Sequence, residues 1–172
     1  MTTKTVTQKL LDAYSQMLER VKHSLDDLEE RTAPAIYNAI ESARKTAEEL
    51  GELTQDEAEK VSMYLKRDLQ DAGKFLNETG KELADWLAFD WQLIEERTWE
   101  AFLSVADKTK LAWFEFEKQL ELGTRYATGE ITSAGTLYCI HCTQALNFYK
   151  VTHIPPCPKC HSKVFIRGNP GQ

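Results

Sequence analysis

Three residue types are missing from whole sections of this chain. Cysteine does not occur before Cys139, and Asp and Glu do not occur after Glu130. Residues 1–130 carry 17 Lys/Arg against 27 Asp/Glu, a net charge of −10, and residues 131–172 carry four cations, a net charge of +4. Because the acidic section would repel a nucleic-acid backbone, we do not expect the whole chain to bind nucleic acid without regard to sequence.

Long apolar runs are also absent. The most hydrophobic stretch, near residues 84–94, is interrupted by Asp85 and Asp90, and a membrane-spanning helix needs roughly 20 apolar residues. The first residues are not followed by the apolar segment of a signal peptide. Thiols that bind metal stay reduced in a reducing compartment. We therefore expect a cytoplasmic protein that does not enter the membrane.

Common enzyme signatures are missing as well. The chain has no H-E-x-x-H, no G-x-S-x-G, no glycine-rich phosphate loop and no dinucleotide fingerprint. Its helical part has a single histidine, His23, without a Glu three residues before it, which excludes the Glu-x-x-His pairs of a di-metal carboxylate site. No motif for a small-molecule substrate is present. We expect a protein without enzymatic activity.

What the chain does contain, up to residue 122, is a series of helical patterns. Apolar residues recur every three or four positions, which marks one face of a helix. The three stripes are Leu11, Tyr14, Leu18, Val21, Leu25 and Leu28, then Ile36, Ile40, Ala43, Ala47 and Leu50, then Ala58, Val61, Leu65, Leu69, Ala72 and Leu76. They predict three amphipathic helices.

The boundaries of these helices are marked by turn-forming and capping residues. Pro34 suits the first turn of the second helix, which we expect to run to about Leu50 and to end at Gly51. Thr54 and Glu57 match a capping box at the start of the third helix, and Gly80 ends it. A fourth helix follows over residues 81–122, and its length predicts a break near Asp107.

Two carboxylates lie beside these apolar stripes. Asp68 borders the stripe of the third helix and Asp90 that of the fourth. Buried carboxylates can be functional, but residues at the edge of a stripe more often pair with a cation. For Asp68 the candidate partners are Arg44, Arg67 and Lys66, and we interpret it as one half of an ion pair.

Cys139-x2-Cys142 and Cys157-x2-Cys160 carry the chemistry of this chain. Two such pairs are typical of a four-thiolate metal site, and structural zinc is the preferred ion. Strand-like segments at residues 136–140, 146–151 and 163–167 flank the pairs, so we predict a small β zinc ribbon. Iron is the alternative ion, because four thiolates bind either metal and Cys157-Pro158-Lys159-Cys160 resembles a rubredoxin turn. His141 and His161 adjoin the pairs and are interpreted as surface residues.

The fold predicted from these patterns is mainly α. An acidic antiparallel helical hairpin or bundle, compact or drawn out as an elongated coiled coil, occupies residues 1–122. Residues 123–135 are predicted as a linker, residues 136–168 as the zinc ribbon, and residues 169–172 as a disordered tail. The sequence leaves open whether the ribbon packs on the helices or moves on the linker.

The ribbon also carries a candidate binding surface. Tyr149, Lys150, Lys163 and Arg167 combine an aromatic ring with three cations, a composition that zinc ribbons of the transcription machinery use on nucleic acid. Four cations in the whole ribbon give a weak electrostatic footprint, however. The preferred interpretation is therefore that these residues cover and solubilise the small sheet.

The chain resembles a bacterial family of zinc-ribbon proteins of unknown function that join an acidic helical region to a C-terminal four-cysteine ribbon. The matching segments are Gly51–Thr54, Arg67–Leu69, Asp107–Trp113, Gly129–Glu130, the two cysteine pairs and Phe165–Arg167. The likeness covers roughly residues 50–168 and departs at His161, where glycine is expected. It implies a metal, this fold and a bacterial cytoplasmic location, and it brings no catalytic residue.

Three functional hypotheses follow. The first is a non-enzymatic interaction protein, in which the helical region self-associates or binds protein partners and the zinc ribbon is a rigid docking head. The second is a nucleic-acid-associated regulator that uses the basic face of the ribbon. The third is an iron electron carrier similar to rubredoxin.

Overall fold

The computed structural model describes residues 5–28, 32–79, 94, 99–106 and 125–167. Helices occupy the first part of this range and a small antiparallel β region the last part. Among the described residues, no helix combines the length and the apolar character that crossing a bilayer demands. The predicted break near Asp107, the carboxylate of Asp90 and the predicted C-terminal tail lie outside the described residues.

Three long helices open the chain: α1 (Val6–Asp26), α2 (Ala33–Glu49) and α3 (Gln55–Thr79). The hydroxyl of Thr5 accepts a hydrogen bond from the amide of Gln8 at the start of α1, and the hydroxyl of Thr32 accepts one from Ala35 at the start of α2. Each cap satisfies one of the amides that a helix leaves without a partner in its first turn. A further helical segment spans residues 99–106.

The connection between α2 and α3 follows the sequence prediction closely. Gly51 adopts a left-handed conformation with φ of 69°. Its amide donates to the carbonyl of Glu48 at 3.0 Å, and the amide of Glu52 donates to Ala47 at 3.0 Å, which is the Schellman arrangement. The capping box is confirmed, because Thr54 and Glu57 exchange side-chain and backbone hydrogen bonds of 2.9 and 3.3 Å.

The predicted stripes form the core between the helices. α1, α2 and α3 all pack against one another, and Trp99 and Phe102 of the segment 99–106 stack at 5.4 Å in the same core. Among the stripe residues whose side chains the structure describes, which leaves out Leu76, two differ from the prediction: Leu28 lies beyond the end of α1 and is 39% exposed, and Leu50 follows α2 and is 64% exposed. Both lie past the last helical turn, where the three- and four-residue spacing no longer holds a side chain on the buried face.

The ribbon, defined here as residues 125–167, contains two small sheets. One has strands in the order β1-β6-β3-β4 and the other pairs β2 with β5, all antiparallel. The strands are β1 (Arg125–Ala127), β2 (Ile131–Thr132), β3 (Gly135–Cys139), β4 (Ala145–Phe148), β5 (Thr152–His153) and β6 (Val164–Arg167). The sequence predicted three of these six strands.

The predicted linker over residues 123–135 is corrected by the structure, because two strands lie inside it. Gly129, with φ of 92°, allows the chain to turn between β1 and β2. Its amide donates to the carbonyl of Ile154 at 2.8 Å, and the amide of Ile154 donates back to Glu130 at 2.9 Å. Strands of two or three residues show no alternation that a sequence pattern could reveal, so their pairing depends on the distant strands β5 and β6.

In the structure, the ribbon packs against the helices. Ile131, Ala134 and Val151 belong to the same buried core as the helices, and β2 packs against α3. The ring of His153 on β5 connects the two parts. Its Nδ1 lies 2.9 Å from the carbonyl oxygen of Gly129, and its Nε2 lies 3.4 Å from that of Thr7 in the first turn of α1. The ribbon is therefore packed on the helical arm, the name used below for α1–α3 with the segment 99–106.

Candidate metal centre

Two turns of the ribbon bring the four cysteine sulfurs together. All four lie within 4.8 Å of one another. The Sγ atoms of Cys139 and Cys160 are 3.5 Å apart, and those of Cys142 and Cys157 are 3.6 Å apart. A tetrahedral ion with metal–sulfur bonds of about 2.3 Å needs sulfur–sulfur edges of about 3.8 Å, and a disulfide needs about 2.05 Å. The cluster therefore fits a metal ion and not a disulfide.

Both turns are built in the same way. The amide of Thr143 donates to the carbonyl of Cys139 at 3.0 Å, and the amide of His161 donates to Cys157 at 2.9 Å. Thr143 and His161 both adopt left-handed conformations, with φ of 59° and 60°. This explains why a glycine is expected at position 161, and shows that the histidine there takes up the required turn.

The backbone of each turn favours thiolate at the first cysteine of its pair. Burial opposes ionisation of Cys139, but hydrogen bonds from the amides of Cys142 and His141 lower the pKa of its thiol to about 6. At Cys160 the amide of Ser162 lowers the pKa, and burial and the three neighbouring sulfurs outweigh it and raise the pKa to about 12. Metal binding requires deprotonated thiols, so a divalent cation at this site would be held by thiolates.

The four ligand positions differ in exposure. Cys139 and Cys157 are buried, Cys142 is half-buried and Cys160 is exposed. The buried sulfurs are part of the core of the ribbon, which also contains Tyr126, Leu137, Leu146, Phe148, Ile154 and Phe165. Within the described residues the cluster holds four cysteines and no histidine. Four thiolates fill a tetrahedral shell, so the donor set is that of a structural site.

The candidate binding surface of the ribbon is only partly present. Tyr149 is 42% exposed, and Lys150 and Lys163 are exposed. The structure corrects the prediction for Arg167, whose side chain is only 3% exposed. Arg167 and the buried Phe165 lie two residues apart on β6, and residues at this spacing share one face of a strand. This two-residue spacing from Phe165 is the signal in the sequence that could have predicted the burial of Arg167.

Arg167 takes part in a buried polar network between the ribbon and α3. Its guanidinium donates to the hydroxyl of Thr132 at 2.7 Å and to that of Tyr126 at 3.2 Å. It also lies 3.9 Å from the carboxylate of Asp68 and 4.0 Å from that of Asp71. The phenol of Tyr126 in turn donates to Asp71.

Arg67 enters the same network from α3. It forms an ion pair with Glu130 and donates to the carbonyl of Ile131 at 2.8 Å. Its guanidinium carbon lies 3.9 Å from the ring centroid of Tyr126, and that of Arg167 lies 5.0 Å from the same centroid. The tyrosine ring therefore makes cation–π contacts with one arginine from each part of the protein.

Asp68 is the central acceptor of this network. The residue is completely buried and accepts hydrogen bonds from the phenol of Tyr14 at 2.6 Å and the amide of Ser133 at 2.8 Å. Arg67 lies 3.4 Å away, so one of the three cations predicted as partners is found there. Arg44 and Lys66 pair instead with Glu41. Sequence reasoning placed Asp68 at the edge of the stripe and missed its contact with the ribbon.

Comparison with known proteins agrees with this architecture. The model of a family described as "zinc-ribbon containing domain" matches residues 3–169. Curated relatives are the "Uncharacterized protein YbeL" of Escherichia coli strains K12, O6:H1 and O157:H7, each 29% identical over 162 residues that cover 94% of this chain and 95% of the relative. No solved structure matches. With its four cysteines positioned to bind a metal ion and a family match along nearly its whole length, the chain belongs to the zinc-ribbon containing domain family.

Proposed function

We propose that the protein is a non-enzymatic zinc-binding interaction protein, in which the ribbon is a metal-stabilised docking head on an acidic helical arm. The observation that carries this proposal is the closed set of four sulfurs within 4.8 Å. Four thiolates leave no open coordination position for a substrate or a reactive water. Zinc then acts as a structural ion, in keeping with a reducing cytoplasm.

The surface of the helical arm supports a role in binding other proteins or a second copy of the chain. Val6 is 68% exposed, Leu50 is 64% exposed and Met63 is 49% exposed. Large apolar side chains at the surface supply contact area for a partner. The ribbon adds Tyr149, which is 42% exposed.

Nucleic-acid binding by the ribbon is the second candidate, and the structure weakens it. Lys150 and Lys163 remain on the surface, but Arg167 is buried beside two carboxylates. Arg167 is one of the three cations of the candidate surface, and its burial lowers the expected electrostatic contribution to binding, which depends on the number of phosphates neutralised. Binding of single-stranded RNA or duplex DNA by the full chain at low salt, falling steeply as salt rises, would restore this candidate.

The metal assignment is tested by elemental analysis of the full chain purified from bacteria grown with both zinc and iron. We expect one zinc per chain and a colourless protein. Iron in a red protein would contradict the zinc assignment and favour the electron-carrier hypothesis. Cys157→Ser should lose the metal, because a serine oxygen is a poor ligand beside three thiolates. His161→Asn is the matched control: asparagine also tolerates the left-handed turn, so zinc should stay.

The interaction role is tested by affinity capture from bacterial lysate with the zinc-loaded full chain, with and without nuclease, and by sedimentation of the purified chain. A discrete partner that survives nuclease and rebinds in purified form, or a stable oligomer, is the expected result. Capture that disappears with nuclease would favour the nucleic-acid candidate. Turnover of any substrate by the zinc-loaded chain would contradict the non-enzymatic assignment.

A further inference from the structure

We propose that metal occupancy of the ribbon controls how tightly the ribbon is held on α3, so that the metal centre acts as a switch for the surface of the helical arm. The residues that transmit this effect are Arg167 and Tyr126 on the ribbon and Asp68 and Asp71 on α3. The inference rests on the metal binding proposed above, and it does not depend on which partner the arm binds.

The first step is the link between the cysteines and β6. Cys139 ends β3, and this residue pairs with Phe165 of β6, while Leu137 pairs with Arg167. On its other side β6 pairs with β1, where Phe165 faces Tyr126. The four sulfurs therefore fix β3 and, through the pairing of the strands, β6 and β1, which carry Arg167 and Tyr126.

The second step is that the ribbon depends on its metal for its fold. Its core contains Cys139 and Cys157 among a few apolar side chains, and units of about 40 residues rarely fold without a metal, a disulfide or a partner. The sulfur–sulfur distances of 3.5 and 3.6 Å are too long for a disulfide, so no covalent cross-link takes the place of the metal. Removal of the metal therefore loosens β3 and β6 together.

The third step is the effect on α3. Tyr126 donates to Asp71, and Arg167 lies within 4.0 Å of both carboxylates. When β1 and β6 loosen, the buried Asp68 and the half-buried Asp71 lose partners that compensate their charge. A carboxylate without such partners is strongly unfavourable in an apolar interior, so the contact opens and water reaches this face of α3.

The apolar part of the contact opens at the same time. Ile131, Ala134 and Val151 of the ribbon complete the core that α1, α2 and α3 form. The amide of Ser133 also donates to Asp68 at 2.8 Å. Release of the ribbon therefore uncovers an apolar face with acidic residues at its centre, which the metal-bound protein hides.

Hydrogen exchange measured by mass spectrometry on the full chain, zinc-loaded and after chelation, tests the switch. In the zinc-loaded protein we expect amides of α3 near residues 66–72 to exchange about 5- to 150-fold more slowly than in the chelated protein, the range of typical coupling between two sites. Peptides from α2 serve as an internal comparison, because the main packing partners of this helix are α1 and α3.

Two variants separate this route from a general loss of stability. Arg167→Gln removes the buried cation, and Tyr126→Phe removes one hydroxyl while the ring stays in the core. Both should retain one zinc per chain and show a smaller effect of zinc on α3. Arg125→Gln, an exposed position on β1, should behave as the unmodified chain.

The outcomes are distinct. Zinc that binds without changing exchange in α3 would overturn the switch and leave the proposed zinc site intact. Failure of the full chain to bind zinc would overturn both. Equal responses of Arg167→Gln, Tyr126→Phe and Arg125→Gln would refute the route through the buried network.

Discussion

Replacing Asp68 by asparagine removes one negative charge from the centre of the buried network and leaves the size of the side chain unchanged. Both Tyr14 and Ser133 donate to the same carboxylate oxygen, Oδ2, at 2.6 and 2.8 Å. The amide oxygen of asparagine can take over that position. Its NH2 group then replaces Oδ1, which lies 3.4 Å from Arg67 and 3.9 Å from Arg167.

The magnitude follows from these contacts. Removing one partner of a buried ion pair costs about 3–5 kcal/mol. Arg67 keeps its pair with Glu130, and Arg167 keeps Asp71 at 4.0 Å, so we expect the lower end of this range, about 3 kcal/mol. A domain of ordinary stability has about 5–15 kcal/mol in total, so the variant should still fold.

Urea unfolding of the zinc-loaded chain at fixed free zinc measures this loss. We expect a lower midpoint with an unchanged slope. Tyr14→Phe is the comparison variant: it removes one hydrogen bond to a charged acceptor, worth about 1.5–3 kcal/mol, and keeps the charge. An Asp68→Asn protein within about 0.5 kcal/mol of the unmodified chain, the range of ordinary surface substitutions, would refute the assignment of Asp68 as the central acceptor.

Three smaller predictions follow. Burial raises the pKa of Asp71 from its ordinary value of 3.8 to about 6, so the folded protein holds this proton more tightly than the unfolded chain. The stabilisation that comes from this tighter proton binding is fully present below pH 3.8. It is lost as the pH rises through 6, at up to about 1.4 kcal/mol per pH unit. The difference in stability between the unmodified chain and Asp71→Asn, measured from pH 7 downward, should grow in favour of the unmodified chain; a constant difference would contradict the raised pKa. Gly51→Ala should cost about 1–2 kcal/mol in thermal unfolding, because φ is 69° while no atom lies within 4 Å of an added Cβ; Gly51→Asn should cost less, and equal losses would argue against the left-handed turn. Arg20→Ala removes two hydrogen bonds of 2.6 and 2.8 Å to Glu52 and should cost less than about 1 kcal/mol, a loss that shrinks as salt is added; a salt-independent loss would show that packing, and not charge, is responsible.

The candidate metal centre could be predicted from the sequence because its information is local. Each Cys-x2-Cys pair lies within one turn, and the hydrogen bonds that shape the turn join residues four positions apart, such as Thr143 to Cys139. The same holds for the capping box of Thr54 and Glu57. The helical stripes are also local, since their period of three and four residues reflects the geometry of one helix.

The sequence by itself thus determined the positions of α1, α2 and α3, the four cysteines of the candidate metal centre and the division of charge along the chain. Tertiary structure decided the remainder: that Arg167 is buried, that Arg125–Ala127 and Ile131–Thr132 are strands, and that the ribbon packs on α3. These features depend on contacts such as Tyr126 to Asp71, which lie 55 positions apart. No spacing within a short segment encodes such a pair, because it exists only after the helical arm and the ribbon have folded against each other.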